Sequence, residues 1–283
     1  MNVCLVPIFN RPELLYHTLQ NISKATGIED ITFLFKPDYG FNRENLEVIA
    51  GFNSMRSHIV PPERCPYPFR SRQSYNLLKG YFHAAAMAGP QGTVYMVEDD
   101  VIVGPDFFTW HNEAQQSPNF CTIASADTNT PEHERPAPDG TTHYRSHGTY
   151  RSIGVAFSAR VIHDHILPHA TAAYFNQPQT YIRSKFTHNP WGATWTEQDG
   201  LIRRIQVNNL LPILYPHTPK CYHAGYYSGN RGTRNAPWGT LDQRIKQVGD
   251  TIYDTDRMKQ AAGKPMYFED ANPPHPRLPV TFA

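Results

Sequence analysis

The sequence has no surplus of charge of either sign. Its 283 residues include 26 Lys plus Arg and 25 Asp plus Glu, which leaves a formal net charge of +1. A chain with this balance has no overall field that would draw it to DNA or to anionic lipid, so a polyanion would have to bind a local patch. No run of about 18 apolar residues occurs either, so we expect no transmembrane helix and no membrane partner.

Cysteines are few and lie far apart in the chain. Cys4, Cys65, Cys121 and Cys221 form no CxxC pair, and two of them sit inside apolar runs. This placement predicts buried free thiols rather than a disulfide or a cysteine zinc site. Free thiols are typical of a reducing compartment, and the apolar N-terminal segment contains Pro7 and lacks the basic stretch of a signal peptide. We therefore expect a cytoplasmic protein.

The sequence does contain enough apolar material for a folded core. Hydrophobic residues make up 40% of the chain and aromatic residues 12%, which is not the composition of a disordered protein. The length predicts one or two domains. Because the sequence shows no internal repeat and no sharp linker, we prefer a single domain with two parts.

Strand-like and helix-like segments alternate from the first residue. This alternation predicts the α/β class, with parallel strands, helices on both faces of the sheet, and a ligand site beyond the carboxyl ends of the strands. The predicted strands of the first part lie at residues 3–8, 31–35, 58–60 and 93–97. The second part has predicted strands at 120–126, 152–158 and 211–215, helices at 197–207 and 241–262, and a long polar loop at 127–150.

Three consecutive acids follow the apolar strand at 93–97. Glu98, Asp99 and Asp100 would repel one another at a strand end unless a cation or hydrogen-bond donors compensate them. Alternation along the strand places Glu98 and Asp100 on one side and Asp99 on the other. Carboxylates at such a position suit Mg²⁺ or Mn²⁺ that completes its shell with substrate phosphates. The alternative is an exposed acidic turn before a helix.

The residues around these acids resemble a known family. Segment 97–108, Val-Glu-Asp-Asp-Val-Ile-Val-Gly-Pro-Asp-Phe-Phe, resembles the acidic motif of the alpha-mannoside beta-1,2-N-acetylglucosaminyltransferase I family, which are inverting glycosyltransferases of GT-A fold. Segments 6–11, 36–40 and 74–79 share the likeness in order and spacing. The resemblance implies a metal-dependent hexosyl- or N-acetylhexosaminyl-transferase that uses Mn²⁺ (or Mg²⁺) and a nucleotide-sugar donor, expected to be a UDP-sugar.

The same resemblance implies roles for individual residues. It makes Asp100 the direct metal ligand. It assigns binding of the nucleotide-sugar to six residues: Arg11, Asp38, Lys79, Glu98, Asp99 and His223. It also divides the chain into a nucleotide-sugar-binding half at 1–126, an acceptor and catalytic half at 127–271, and a Pro-rich tail at 272–283.

An inverting transferase also needs a carboxylate that takes the proton of the acceptor hydroxyl. Segment 195–203 resembles the stretch of the family that contains the catalytic aspartate. Asp199 is the first candidate for this base and Glu197 the second, because Gln198 and Gly200 depart from the family pattern and leave the register open. The alternative is that both acids stabilise the dipole of a helix N-terminus.

Two windows rich in basic residues flank the proposed site and leave the acceptor open. The first window holds Arg64, Arg70, Arg72 and Lys79. The second window holds the basic residues Arg203, Arg204, Lys220, Arg231 and Arg234, interleaved with Tyr222, Tyr226, Tyr227 and Trp238. Such a mixture can bind single-stranded nucleic acid, but we favour arginines that face the donor diphosphate or solvent. The alternatives are a non-catalytic module that binds nucleic acid or glycan, and a transferase acting on hydroxymethylated bases in DNA, a glycan or a protein. A nucleotidyltransferase is disfavoured because residues 8–12 contain no glycine for a phosphate loop.

Overall fold

A computed structural model of the protein describes residues 1–125, 143–146, 150–187, 195–216 and 219–223. The strands are β1 (Asn2–Ile8), β2 (Ile31–Pro37), β3 (Ser57–Ile59), β4 (Thr93–Met96), β5 (Val101–Val103), β6 (Cys121–Ile123), β7 (His143–Ser146), β8 (Val155–Ser158), β9 (Ile213–Pro216) and β10 (Cys221–His223). The α-helices are α1 (Pro12–Ile22), α2 (Glu44–Gly51), α3 (Arg72–Ala88), α4 (Phe107–Ala114), α5 (Ala159–Val161), α6 (Ala172–Asn176), α7 (Pro178–Lys185) and α8 (Gln198–Asn208). Residues Ile162–Ile166 continue α5 as a π-helix.

One sheet of eight strands organises the described residues, in the order β3-β2-β1-β4-β8-β6-β9-β7. Its first four strands are parallel, as the alternation of strands and helices predicts. Strands β10 and β5 form a separate antiparallel pair. The α/β class predicted from the sequence is confirmed.

The other half of the sheet is not parallel throughout. Strand β8 runs antiparallel to both β4 and β6, and β7 runs antiparallel to β9. The all-parallel arrangement expected from the first half therefore stops at β4. An antiparallel neighbour needs no crossover helix, so β8 does not continue the β-α-β pattern. The long polar loop predicted at 127–150 is wrong at His143–Ser146, which form β7.

Two hydrophobic clusters cover the two faces of the sheet. Along β1 the buried side chains alternate: Val3 and Leu5 belong to the cluster beneath α3 and α8, and Cys4 and Val6 to the cluster beneath α1 and α4. This alternation is typical of a pleated strand that is buried on both faces. The helices on both faces hold the carboxyl end of β4 in the middle of the molecule.

The predicted domain boundary at residue 126 lies outside the described residues, as do the predicted helix at 241–262 and the Pro-rich tail. Strands from both sides of that boundary share the sheet, since β4 pairs with β8. The four cysteines are free thiols, and three of them are buried. Across the parts of the chain given above, no helix is both long and apolar enough to cross a bilayer.

Candidate active site

The three acids lie in a tight turn between β4 and β5. The turn is closed by a hydrogen bond from the Val101 N–H to the Glu98 carbonyl oxygen, 3.0 Å long, and Val97 before it still bonds to Leu5 of β1. Asp99 and Asp100 are each only 2% exposed. The predicted alternative of an exposed acidic turn is therefore wrong for these two residues, because the turn is enclosed by the neighbouring strands and helices.

Asp99 is held by the chain itself. One of its oxygens accepts the Phe9 N–H at 3.3 Å, and the other pairs with the guanidinium of Arg11. Its backbone carbonyl accepts the hydroxyl of Thr18 at 3.2 Å. Asp99 thus points toward the turn between β1 and α1. The predicted separation of Asp99 from both acidic neighbours is wrong for Asp100, because the acids lie in a turn and not in a strand, and Asp99 and Asp100 share the guanidinium of Arg11.

Glu98 and Asp100 converge with a histidine from the far end of the chain. The antiparallel pairing of β10 with β5 places His223 opposite Val101. His223 Nε2 lies 3.1 Å from Asp100 Oδ2. One ligand atom from each of Glu98, Asp100 and His223 lies within 4.8 Å of the other two. Two carboxylates and one imidazole at this spacing form a candidate metal centre.

The donor set fits a divalent cation. Asp100 Oδ1 is buried and makes no hydrogen bond to any described residue. A buried carboxylate oxygen without a donor is costly unless a cation compensates it. Asp100 would bind the ion directly, and Glu98 and His223 would complete the protein's share of its ligands. Carboxylate oxygens favour Mg²⁺ or Mn²⁺.

The carboxyl groups of Glu98 and Asp100 lie close together, and their pKa values are shifted in opposite directions. Burial, followed by the charges of Asp100 and Asp199, raises the pKa of Glu98 to about 8. Burial also disfavours the charged form of Asp100, but His223 and Arg11 outweigh it and lower its pKa to about 2. Burial lowers the pKa of His223, yet Asp100 more than reverses this and leaves it raised. Without metal, the centre therefore holds protons that a cation would displace.

Arg11 stands at the junction of this centre and α1. It is the residue before Pro12, which begins the helix, and its guanidinium pairs with both Asp99 and Asp100. The side chain keeps one quarter of its surface exposed. The structure therefore gives Arg11 a role in holding the acids, and its predicted contact with the nucleotide stays a prediction.

A second polar group lies at the carboxyl end of β2. Asp38 accepts hydrogen bonds from Arg72 Nε at 2.9 Å and from the Tyr39 N–H at 2.8 Å. The Arg72 guanidinium also lies over the ring of Phe9, 5.1 Å from its centroid. Burial raises the pKa of Asp38 despite the opposing charge of Arg72. Because β1, β2 and β4 are parallel, Asp38 and the acidic turn follow strand ends at the same edge of the sheet.

The first turn of α8 presents Asp199 to this region. Ser152 Oγ donates to Asp199 Oδ2 at 3.1 Å, and Gln198 Nε2 donates to Oδ1 at 3.3 Å. Gln198 is fixed in turn by Ser74 of α3, whose hydroxyl accepts the Gln198 N–H and donates to its side chain. The charge of Asp199 helps to raise the pKa of Glu98, so the two carboxylates interact.

Two other predicted residues lie in different surroundings. Glu197 is exposed at the N-cap of α8 and makes no capping hydrogen bond through its side chain. Lys79 Nζ lies 4.0 Å from Glu63 Oε2 and over the rings of Tyr75 and Phe82. No described contact joins Lys79 to the acidic turn, and its predicted role stays a prediction.

Cations of the second basic window already have partners within the described residues. Arg204 is fully buried and donates to two backbone carbonyls. Lys220 Nζ lies 2.6 Å from Asp106 Oδ2, and the Arg203 guanidinium lies 5.5 Å from the ring centroid of Trp195. The side chain of Tyr222 and the rest of this window, Tyr226, Tyr227, Arg231, Arg234 and Trp238, lie outside the described part of the chain.

Comparisons with known proteins find likeness in structure alone. No family model and no curated protein matches this chain. The galactosyltransferase LgtC, solved with donor and acceptor sugar analogs, is 14% identical with a TM-score of 0.48; the match covers 93% of this chain and 95% of LgtC. The mannosyltransferase PcManGT from Pyrobaculum calidifontis, in complex with GDP-Man and Mn²⁺, is 10% identical with a TM-score of 0.46, and the match covers 87% of this chain and 63% of that one.

S. aureus TarS 1–349 in complex with UDP-GlcNAc is a third similar structure. It is 10% identical with a TM-score of 0.45, and the match covers 88% of this chain and 66% of TarS 1–349. At identities this low, the function has to be inferred from the chain's own residues.

Sequence reasoning missed the residues that support the predicted acids. Ser152, Gln198 and Ser74 hold Asp199, and Arg72 holds Asp38. These contacts join positions 47, 124 and 34 residues apart. Arg72 carried a signal as part of the first basic window, whereas a serine has no pattern of its own that would reveal it.

Proposed function

We propose that this chain is a metal-dependent glycosyltransferase of GT-A fold. It would transfer a hexosyl or N-acetylhexosaminyl group from a nucleoside diphosphate sugar to an acceptor hydroxyl, with inversion. The observation that carries the proposal is the convergence of Glu98, Asp100 and His223 at the end of the central parallel strand, where a buried oxygen of Asp100 makes no hydrogen bond to a described residue. The choice of UDP as the nucleotide follows from the motif resemblance.

The residues of the acidic turn would share the work of holding the donor. Mn²⁺ or Mg²⁺ in this centre would act as a Lewis acid that neutralises charge on the departing diphosphate. Asp100, His223 and Glu98 would supply the protein's ligands to the metal. Arg11 keeps Asp99 and Asp100 in place through its two ion pairs. Such fixed charges cost no reorganisation when the bond to the diphosphate breaks.

Asp199 is the proposed general base. As the acceptor oxygen forms a bond to the anomeric carbon, its proton passes to Asp199, and the bond from that carbon to the phosphate oxygen breaks with its electron pair on the diphosphate. Ser152 and Gln198 support this role because they fix both oxygens of the carboxylate. Glu197, exposed and without a capping bond, remains the second candidate.

The rival functions have less support. A nucleotidyltransferase would need a glycine-rich phosphate loop between β1 and α1, where this chain has Asn10 and Arg11. A nucleic-acid module would need free cations, yet the described arginines and the lysine of the second basic window already have partners. The cytoplasmic location and the identity of the acceptor stay predictions.

A screen of UDP-sugars tests the proposed function. We expect the full chain to hydrolyse at least one UDP-sugar slowly in the presence of Mn²⁺ and not after chelation. Isothermal titration should show UDP binding that requires the metal. Equal UDP affinity with and without Mn²⁺, together with no hydrolysis of any donor, would contradict a metal-dependent transferase.

The affinity for Mn²⁺ is expected to rise with pH. Protonation of Glu98, whose pKa is raised to about 8, and of His223 competes with the metal, so binding should strengthen between about pH 6 and about pH 9. In the metal-free protein the raised pKa means that the folded state holds a proton that the unfolded chain releases near pH 4.5. The contribution of Glu98 to the free energy of unfolding therefore falls from about pH 4.5 to about pH 8.

Thermal unfolding with and without Mn²⁺ across this range measures both effects. The stabilisation by Mn²⁺ should be larger at high pH, and Glu98→Gln should flatten its pH dependence. A stabilisation that does not vary with pH in the unmodified chain would remove Glu98 and His223 from the metal centre.

Replacing Asp38 with Asn should weaken UDP binding without affecting Mn²⁺ binding. We expect a loss of about 10- to 100-fold in UDP affinity, since a charged hydrogen-bond partner at the carboxyl end of β2 becomes neutral. Titration of the protein with UDP at saturating Mn²⁺ measures it. The matched control is Asp164→Asn, which neutralises an exposed aspartate that is also paired with an arginine. Unchanged UDP affinity in Asp38→Asn would place the nucleotide elsewhere.

A further inference from the structure

A buried glutamine links the proposed base to helix α3. Gln198, the first residue of α8, is buried, as is Ser74 in the first turn of α3. The Ser74 hydroxyl accepts the Gln198 N–H at 3.0 Å and donates to Gln198 Oε1 at 3.1 Å. A single serine of another helix therefore holds both the backbone and the side chain of Gln198.

These two bonds fix which end of the Gln198 amide faces Asp199. A hydroxyl group has one hydrogen, and that of Ser74 is directed to Gln198 Oε1. The oxygen end of the amide is thus turned to Ser74 and the nitrogen end to Asp199, where Nε2 donates to Oδ1 at 3.3 Å. Because an amide nitrogen is a donor only, this contact stabilises the charged form of the carboxylate.

The other oxygen of Asp199 has a donor from a different element. Ser152, which precedes β8 in the chain, donates to Oδ2 at 3.1 Å. The last torsion of an aspartate side chain is broad, and a donor on each oxygen restricts it to one plane. A general base needs its carboxylate in a defined orientation toward the proton it takes. The contacts of Asp199 are those of a carboxylate held in this way.

A second buried glutamine of α8 has a different role. Gln206 is fully buried, and its Nε2 donates to the Leu211 carbonyl oxygen at 2.6 Å, at the other end of the helix. That bond joins the side chain to the backbone that follows α8. The side chain of Gln198 instead joins a hydroxyl of α3 to the carboxylate of Asp199.

We propose that Gln198 is a positioning residue for the general base and that Ser74 acts through Gln198. Gln198 holds the Asp199 carboxylate in one orientation and stabilises its charged form, in which it can take the proton of the acceptor hydroxyl. The inference rests on the proposed function. It adds residues from two separate helices to the reaction, both of which act through Asp199.

The test measures hydrolysis by the full chain at saturating Mn²⁺, with water as the acceptor and the UDP-sugar that the donor screen identifies. Gln198→Leu should lower kcat about 10-fold and leave KM within about twofold, because the change acts on the base and not on the donor. The acidic limb of the pH profile of kcat should move up by about 1 pH unit, since a hydrogen bond to the charged carboxylate is lost.

Ser74 offers a second variant that leaves Gln198 in place. Ser74→Ala should lower kcat in the same way but by less, and Ser74→Thr, which keeps the hydroxyl, should restore it. In a chain that already carries Gln198→Leu, Ser74→Ala should lower kcat no further, because its effect passes through Gln198. If urea unfolding shows that Gln198→Leu does not fold, the comparison of Ser74→Ala with Ser74→Thr decides.

The matched control is Gln206→Leu. It makes the same substitution at a buried position of the same helix, so it should lower the free energy of unfolding as Gln198→Leu does. It should leave kcat and its pH profile unchanged. All of these variants keep the titratable groups that interact with Asp199, which include Glu98, Tyr81, Tyr150 and Tyr174.

Three results would overturn the inference. The value of kcat and its pH profile could be unchanged in Gln198→Leu, Gln206→Leu could change them equally, or Ser74→Ala could add its full loss to that of Gln198→Leu. Each of these leaves the proposed function intact, since the unmodified chain still hydrolyses its donor with Mn²⁺. An unmodified chain that neither binds UDP nor hydrolyses any UDP-sugar would instead contradict the proposed function, and the inference with it.

Discussion

Replacing Asp100 with Asn is expected to abolish Mn²⁺-dependent hydrolysis of the donor, with a loss of about a thousandfold or more. The change removes one negative charge from the residue that faces the metal with a buried oxygen that has no hydrogen-bond donor. A thousandfold corresponds to about 4 kcal/mol of transition-state stabilisation, within what a metal that neutralises a leaving diphosphate can supply. Donor hydrolysis at saturating Mn²⁺ measures the effect.

The control for this variant is Asp106→Asn. Asp106 lies in the same 97–108 segment but outside the acidic turn, is 52% exposed in its side chain and pairs with Lys220. It should retain donor hydrolysis. A urea titration of Asp100→Asn should show a cooperative transition, which establishes that the fold survives. Hydrolysis within about threefold of the unmodified chain would remove Asp100 from the mechanism.

Replacing Asp199 with Asn is expected to lower sugar transfer by about 10²- to 10⁴-fold while leaving donor binding unchanged. Asn keeps the shape and still accepts a hydrogen bond from Ser152, but it cannot take the proton of the acceptor hydroxyl. The reaction would therefore stop after the donor is bound. Initial rates with a candidate acceptor, and titration with UDP and Mn²⁺, separate the two steps.

The variant Glu197→Gln tests whether Asp199 or Glu197 is the general base. Glu197 is exposed and two residues away on the same helix N-terminus. If Asp199 is the base, this neighbouring change should reduce transfer by less than about threefold, an effect on the helix dipole only. A large loss in Glu197→Gln with near-normal transfer in Asp199→Asn would exchange the two roles. Equal small losses in both variants would exclude a carboxylate base from this helix.

Much of the first half of the fold could be predicted from local pattern. The strand predicted at residues 3–8 is β1 at Asn2–Ile8, and the helix predicted after Pro12 is α1 at Pro12–Ile22. Continuous apolar runs between capping residues and glycines were sufficient to locate the strands, because these strands are buried on both faces. The direction of β8 could not be predicted, since the residues of a strand do not specify which other strand it pairs with.

The position of the acidic turn was predictable for the same local reason, but the orientation of its side chains was not. The acids lie in a turn, where strand alternation does not apply: Asp99 and Asp100 share the guanidinium of Arg11, and Glu98 and Asp100 lie near His223. The role of His223 came only from the resemblance. Its place beside Asp100 depends on the pairing of β10 with β5, which joins two segments that are far apart in the chain.

The sequence by itself determined the strands and helices of the first half of the fold and the position of the three consecutive carboxylates, because these depend on residue order over a few turns. Tertiary structure alone decided what surrounds the acidic residues: the imidazole that approaches Asp100 and the serine that holds Asp199. Those contacts come from segments that are distant in the chain and meet only because the two faces of the sheet must both be covered. Burial, not sequence, then shifts the pKa of Glu98 upward and prepares the centre for a cation.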